Sequence, residues 1–242
     1  LFIFYAFCLP KELFTKPIST VITSKNDELL GALIAQDGQW RFPHNDAVPN
    51  KFKTCLIQFE DEHFYQHLGF NPVSIFKAFK QNLEAGSVQR GGSTITQQVI
   101  RLSRDDRSRT YFEKLKELFL ATRLELGVSK EKILTFWSSN APFGGNVVGL
   151  DAASWRYFNR KSTDLSWAES ATLAVLPNAP NLIYPGKNQQ KLLAKRNRLL
   201  QKLLTKKEID TLTYELSILE KIPEKPYNLP QITPHLLQRI HK

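Results

Sequence analysis

From Asn50 onward the apolar residues recur at helical spacing and mostly keep to it, whereas β-prone alternation is confined to residues 19–42. That asymmetry predicts a mainly α chain with a small N-terminal β element. In the β-prone part, Thr20-Val21-Ile22-Thr23, Leu29 to Ala35 and Gln39-Trp40-Arg41-Phe42 are separated by Lys25-Asn26-Asp27 and Asp37-Gly38. Such spacing predicts a meander within residues 10–50. Phe52, Cys55, Leu56 and Phe59 then mark a helix packed on one face, so Glu60 and Asp61 emerge at its end.

Further helices follow from their punctuation. Asn71-Pro72 opens one through Val73, Phe76, Phe79 and Leu83 that Gly86 closes. Thr110-x-x-Glu113 and Ser166-x-x-Glu169 read as capping boxes, which makes Glu113 and Glu169 structural carboxylates. The first box leads into Leu115, Leu118, Phe119 and Thr122 at core spacing and a stop at Gly127; the second helix ends by Pro177. Ser129 starts a helix carrying Ile133, Leu134 and Trp137, and residues 192–204 form another amphipathic one.

Residues 1–9 are apolar and uncharged but shorter than the ~20 needed to span a bilayer, and they read as the outer end of a membrane anchor or signal segment, with a buried strand as the alternative. Pro223, Pro226, Pro230 and Pro234 make residues 223–242 an extended linker. Between these ends, residues 51–222 form the main domain, which the length and the 42% hydrophobic content support.

Lys and Arg outnumber Asp and Glu by 33 to 23, a formal net charge of +10, which favours an anionic partner: nucleic acid, a phosphorylated substrate or an anionic membrane surface. No RNP-type strand, Cys/His finger or basic heptad helix is present, so nucleic acid is not the expected partner. Cys8 and Cys55 are too few for a disulfide framework and lack metal-ligand spacing.

The chemistry concentrates in residues 60–117. Glu60 is a candidate general base on a rigid support. Lys114 and Glu117, three apart, share one helix face, and with Arg101 and Arg109 they make a plausible clamp for a pyrophosphate. The Gly91-Gly92-Ser93 turn can present backbone N–H groups to a phosphate at the start of the next helix. His63 and His67 beside Glu60 mimic a metal site without a third matching ligand. Ser74-x-x-Lys77 matches a penicillin-reactive serine motif, but without KTG or SDN partners it reads as chance. Phe70, Val73, Phe76, Phe79 and Leu83, flanked by Lys77 and Lys80, are either core or an interfacial face.

Glu60-Asp61-x-x-Phe64-x-x-His67-x-Gly69, followed by GGSTITQQ at Gly91 to Gln98, resembles the peptidoglycan glycosyltransferase module of class A penicillin-binding proteins. The resemblance continues through LEL-GVSKEKIL, APFGGNVVGLDAASWRYF and LSWAESATLAVLPNAP, covers roughly residues 9–204, and is strongest toward the penicillin-binding protein 1C branch. Two departures stand out. The family's Arg-Lys-x-x-Glu reads Glu113-Lys114-Leu115-Lys116-Glu117, and its Tyr-Leu-Asn reads Trp137-Ser138-Ser139.

The resemblance implies a lysozyme-like domain that polymerises lipid II with inversion at the anomeric carbon. It implies Glu60 as the base and Glu117 as the second catalytic carboxylate. Asp61, Phe64, His67, Gly92, Ser93, Thr94, Gln97, Gln98, Arg101, Arg109 and Lys114 would be substrate-binding residues. It implies no organic cofactor and leaves room for a divalent cation such as Mg2+. Its partners would be lipid II, the growing glycan strand, the membrane surface and other cell-wall synthesis proteins, at the outer face of the bacterial cytoplasmic membrane. The family commonly carries a transpeptidase domain after the linker, and none is expected here. A lytic glycan-cleaving enzyme and a non-catalytic scaffold binding lipid II or membrane are the rival readings.

Overall fold

The structure is a computed structural model that describes residues 5, 7–43, 47–73, 92–104 and 110–240. Most of the apolar run 1–9, the helix expected through Phe76, Phe79 and Leu83, the Ser74-x-x-Lys77 match, Gly91 and Arg109 lie outside the described residues. Two compact units divide the chain: Leu1–Thr15 with Glu60–Trp137, and Lys16–Phe59 with Ser138–Lys242. Among the described residues there are nine α-helices and five short strands, so the chain is mainly α as its periodicity predicts.

In the first unit a 3-10 turn, Phe64–Gln66, precedes α2 (Ile95–Ser103), α3 (Tyr111–Gly127) and the start of α4 (Lys130–Asn140). Thr94 caps α2 by accepting the Gln97 N–H, and its own hydroxyl donates to the Gly69 carbonyl at 2.7 Å. Thr110 caps α3 by accepting the Glu113 N–H. The expected reciprocal bond of that box is replaced: the Glu113 carboxylate is engaged by Arg104 at 2.7 Å and by Lys116 at 3.4 Å.

The core stripe expected on α3 is corrected by the structure. Its buried residues are Glu117, Ala121 and Leu124, while Leu115 is 63% and Phe119 39% exposed. The helix has two apolar faces, and the smaller one is buried because Gly69 passes there. Gly69 has φ +86°, and a Cβ on it would lie 2.6 Å from the Ala121 carbonyl carbon. The neighbouring Phe70 and Val73 are exposed.

In the second unit, β1 (Thr20–Thr23) and β2 (Leu29–Leu33) form an antiparallel hairpin. The third run does not complete a meander. β3 (Trp40–Arg41) pairs in parallel with β5 (Val147–Val148), which pairs antiparallel with β4 (Pro142–Gly144). The Trp40 N–H is taken by the Asn146 carbonyl at 2.7 Å, a partner that no local pattern announces. α1 (Asn50–Glu60) buries Phe52, Cys55 and Leu56, with the Phe52 and Phe143 rings 6.2 Å apart, and Phe59 is half-buried. Cys8 and Cys55 are both free, and burial pushes the Cys55 thiol up.

α5 (Leu150–Phe158), α6 (Trp167–Val175), α7 (Gln189–Thr205) and α8 (Thr211–Leu219) build the rest of that unit. The Ser166/Glu169 capping box is complete. The buried Arg196 donates to the carbonyls of Ile218 and Glu220. The proline-rich stretch runs extended and is held in place: the Ile232 N–H donates to the Leu30 carbonyl at 2.8 Å and the Tyr227 N–H to the Arg156 carbonyl at 2.6 Å. It ends in α9 (Pro234–Ile240), whose Leu237 is buried. No helix among the described residues is long and apolar enough to cross a membrane.

Gly69→Ala should lower unfolding stability by about 2–4 kcal/mol in urea titration, since the added Cβ strikes backbone and the left-handed φ is strained. Gly38→Ala, at φ +74° but with nothing within 4 Å of the added Cβ, should cost only about 1 kcal/mol.

Candidate active site

The polar segments singled out in the sequence meet within the first unit. Asp61 ties the first to the second. Its buried carboxylate accepts the Ile95 N–H at 3.1 Å, and His67 Nε2 lies 3.1 Å and 2.9 Å from its two oxygens. Ile95 is the first residue of α2, so Asp61 places an anion at the positive end of that helix from outside it. Phe64 is fully buried, its ring edge-on to His67 at 6.3 Å, with Lys130 Nζ 4.4 Å from its centroid. Lys130 also donates to the His67 carbonyl and to Glu125. Asp61, Phe64, His67 and Thr94 are thus built into the packing that joins the segments.

Glu60, at the end of α1, is half-buried. Its Oε2 accepts the Gln98 Nε2–H at 2.7 Å. Gln98 Oε1 accepts in turn from Trp137 Nε1–H at 2.9 Å, and Trp137 is fully buried on α4. A carboxylate that accepts a directed N–H bond is favoured in its charged form.

Lys114 holds the second and third segments together. Its ammonium donates to Ser93 Oγ at 2.6 Å, Gln97 Oε1 at 3.0 Å and Glu117 Oε2 at 3.0 Å, one acceptor for each N–H of an ammonium. Gln97 is fully buried, and its Nε2 meets no hydrogen-bond partner among the described residues. Gly92 and Ser93, both half-buried, lead into the Thr94 cap, and Arg101 is half-buried in the last turn of α2.

Glu113 stands where the resembling family carries Arg. Burial raises its carboxyl, but the charges of Arg104 and Lys116 outweigh this and hold it below the usual carboxylate range. His63 Nδ1 pairs with Gln66 Oε1 at 2.9 Å, and among the described residues no three His, Cys, Asp or Glu gather as metal ligands would. Sequence reasoning missed two links of the site, Ser93 to Lys114 and Trp137 to Gln98. Trp137 showed itself as one of three apolar residues at helical spacing and as a departure from the family's Tyr-Leu-Asn pattern, not as a donor to the site.

The arrangement offers a half-buried carboxylate on the Gln98 amide, and an ammonium shared with Ser93, Gln97 and the Glu117 carboxylate. Such a pair can take a proton at one end of a reaction and receive an anionic leaving group at the other.

A family model described as Transglycosylase matches residues 26–204. Penicillin-binding protein 1C of Escherichia coli (strain K12) is 36% identical over 215 residues, covering 88% of this chain and 28% of that protein. Penicillin-binding protein 1A of the same strain is 33% identical over 219 residues, covering 87% and 26%. Penicillin-binding protein 1A of Aquifex aeolicus (strain VF5) is 32% identical over 195 residues, covering 81% and 27%. A crystal structure of penicillin-binding protein 1A from Haemophilus influenzae aligns with a TM-score of 0.49 at 17% identity, over 94% of this chain and 24% of that one. The chain spans less than a third of the length of these curated relatives.

Lys114→Met should weaken binding of inorganic pyrophosphate at least about tenfold, read by calorimetric titration at low ionic strength. Glu113→Gln releases Arg104 and Lys116 from their anion and should strengthen that binding up to about fivefold, a gain that added salt removes.

Proposed function

Because the chain belongs to the transglycosylase family, we propose that it is a peptidoglycan glycosyltransferase, polymerising lipid II into glycan strands with release of undecaprenyl pyrophosphate. The observation that carries this reading is the pairing, in one unit, of Glu60 on the Gln98 amide with Lys114 on Glu117, Gln97 and Ser93.

The 4-hydroxyl oxygen of the acceptor sugar attacks the anomeric carbon of the growing glycan, and its proton passes to Glu60. The bond from that carbon to the pyrophosphate breaks with its electron pair, inverting the centre. General-base assistance of this kind is worth about 10²–10⁴ in rate. Lys114 and Arg101, with Arg109, neutralise the departing pyrophosphate, and Glu117 orders Lys114 for that task. Asp61, Phe64, His67 and Thr94 act by positioning, because their polar groups and packing surfaces are spent on α2 and on Gly69.

No organic cofactor enters this scheme. Among the described residues no three His, Cys, Asp or Glu gather as metal ligands would, and Mg2+ would come bound to the pyrophosphate of the substrate. The basic Lys114 and Arg101 argue against a lytic enzyme, because cleaving a neutral glycosidic bond needs no pyrophosphate clamp.

The lipid carrier places the substrate at a membrane, and α3 has a face for it. Tyr111, Phe112, Leu115, Phe119 and Leu126 are exposed and, at 3.6 residues per turn, fall within roughly 100° of arc on the helix. Tyr5, from the apolar N-terminal run, lies on the same face, its ring 4.9 Å from Phe119 and its hydroxyl bonded to Thr122 at 2.9 Å. Lys116 Nζ lies 4.4 Å from the centroid of the Phe112 ring, and its cation suits an anionic headgroup. This supports placement on the outer face of the bacterial cytoplasmic membrane.

With fluorescent lipid II the parent chain should make long glycan that moenomycin abolishes, and Glu60→Gln should make at least about 10²-fold less. Binding without polymer from either protein would favour the scaffold, and shortening of added glycan the lytic enzyme. Leu115→Ser with Phe119→Ser should reduce co-sedimentation with anionic phospholipid vesicles by about tenfold, with the circular dichroism spectrum unchanged.

A further inference from the structure

A primary amide has two ends that differ in chemistry but hardly in shape, so Gln98 could present either its oxygen or its NH₂ group to Glu60. Which end faces the carboxylate decides whether the contact stabilises the charge or opposes it. Trp137 removes the choice. An indole Nε1–H can only donate, so the atom 2.9 Å from it must be the amide oxygen of Gln98, and the amide NH₂ then points at Glu60 Oε2, 2.7 Å away. The donor is fully buried, and turning the amide over would leave the indole N–H facing another N–H with no water to replace it.

We infer that Trp137 is a positioning residue that acts through the Gln98 amide to keep Glu60 in its carboxylate form. The inference rests on the proposed role of Glu60 and deepens it. The three residues come from three helices: Glu60 ends α1, Gln98 lies on α2 and Trp137 on α4. The relay therefore also fixes where the carboxylate sits relative to two other elements. Trp137 occupies the place of Tyr in the Tyr-Leu-Asn pattern of the resembling family. A phenol hydroxyl both donates and accepts and would permit either amide orientation. In this chain the indole permits one, so the departure tightens the site.

Without Trp137 the amide is still attracted to Glu60, so the base is impaired and not destroyed. Trp137→Phe keeps an aromatic ring and loses the donor. In lipid II polymerisation it should lower kcat at neutral pH by about three- to tenfold with little change in KM, and should move the acidic limb of the kcat profile to higher pH. In a Gln98→Ala background the same substitution should have no effect on that limb, because the relay is already cut. If Trp137→Phe lowers only the melting temperature and leaves the acidic limb in place, or if its effect on the limb is the same with and without Gln98, Trp137 is core and the inference fails.

A readout independent of turnover separates this failure from failure of the glycosyltransferase reading. With ¹⁵N-indole labelling, the Trp137 Hε1 resonance, assigned by its disappearance in Trp137→Phe, should shift as the pH is lowered and Glu60 takes up its proton. That step should vanish in Glu60→Gln. A Trp137 resonance insensitive to the Glu60→Gln substitution overturns the relay whether or not the chain makes glycan. A resonance that tracks Glu60 supports it even where no polymer forms.

Discussion

One buried carboxylate holds the site in register. Asp61 follows the last residue of α1 and bonds the first N–H of α2, so the segment bearing the base and the helix bearing Gln97 and Gln98 share a single anchor. Burying a carboxylate is costly unless charge and hydrogen bonds answer it. Here the helix N-terminus supplies one answer and His67, on both oxygens, the other. Thr94 adds a second tie from the same turn, to the Gly69 carbonyl, and Lys114 carries the linkage on to α3 through Gln97. Remove the Asp61 contact, and the start of α2 loses its direct tie to the residue that follows Glu60.

The helix α3 works in two directions. Its inner face places Glu117 and Lys114 among neutral acceptors, so the ammonium is already balanced before any ligand comes. Its outer face exposes aromatic and aliphatic side chains with the Tyr5 ring among them. A substrate whose pyrophosphate joins a sugar to a hydrocarbon chain has the same division. The helix therefore offers each half of such a molecule a surface of matching polarity.

Much of this was legible from spacing. α3 and α6 start and stop, and α4 starts, where a cap, a glycine or a proline predicts, because those signals act within one turn. Glu60, Lys114 and Glu117 stood out because type and spacing suffice to put them at a helix end or on a shared face. What escaped depends on partners far along the chain. α5 follows an N-cap, Gly149, that has no side chain to cap with, and β3 finds β5 more than a hundred residues away. Trp137 and Gln98 are 39 residues apart, so nothing local marks the indole as a donor to the site. The misread stripe of α3 has a different cause: periodicity shows that a face is apolar, not what will cover it.

The seat of Gly69 against Ala121 involves almost no side chain. Backbone lies on backbone, so the depth at which α3 rests is set by atoms that substitution cannot alter. Side chains on the outer side of that helix can then be exchanged without displacing Lys114 from Gln97. What the outer face touches is thereby uncoupled from the geometry of the inner one.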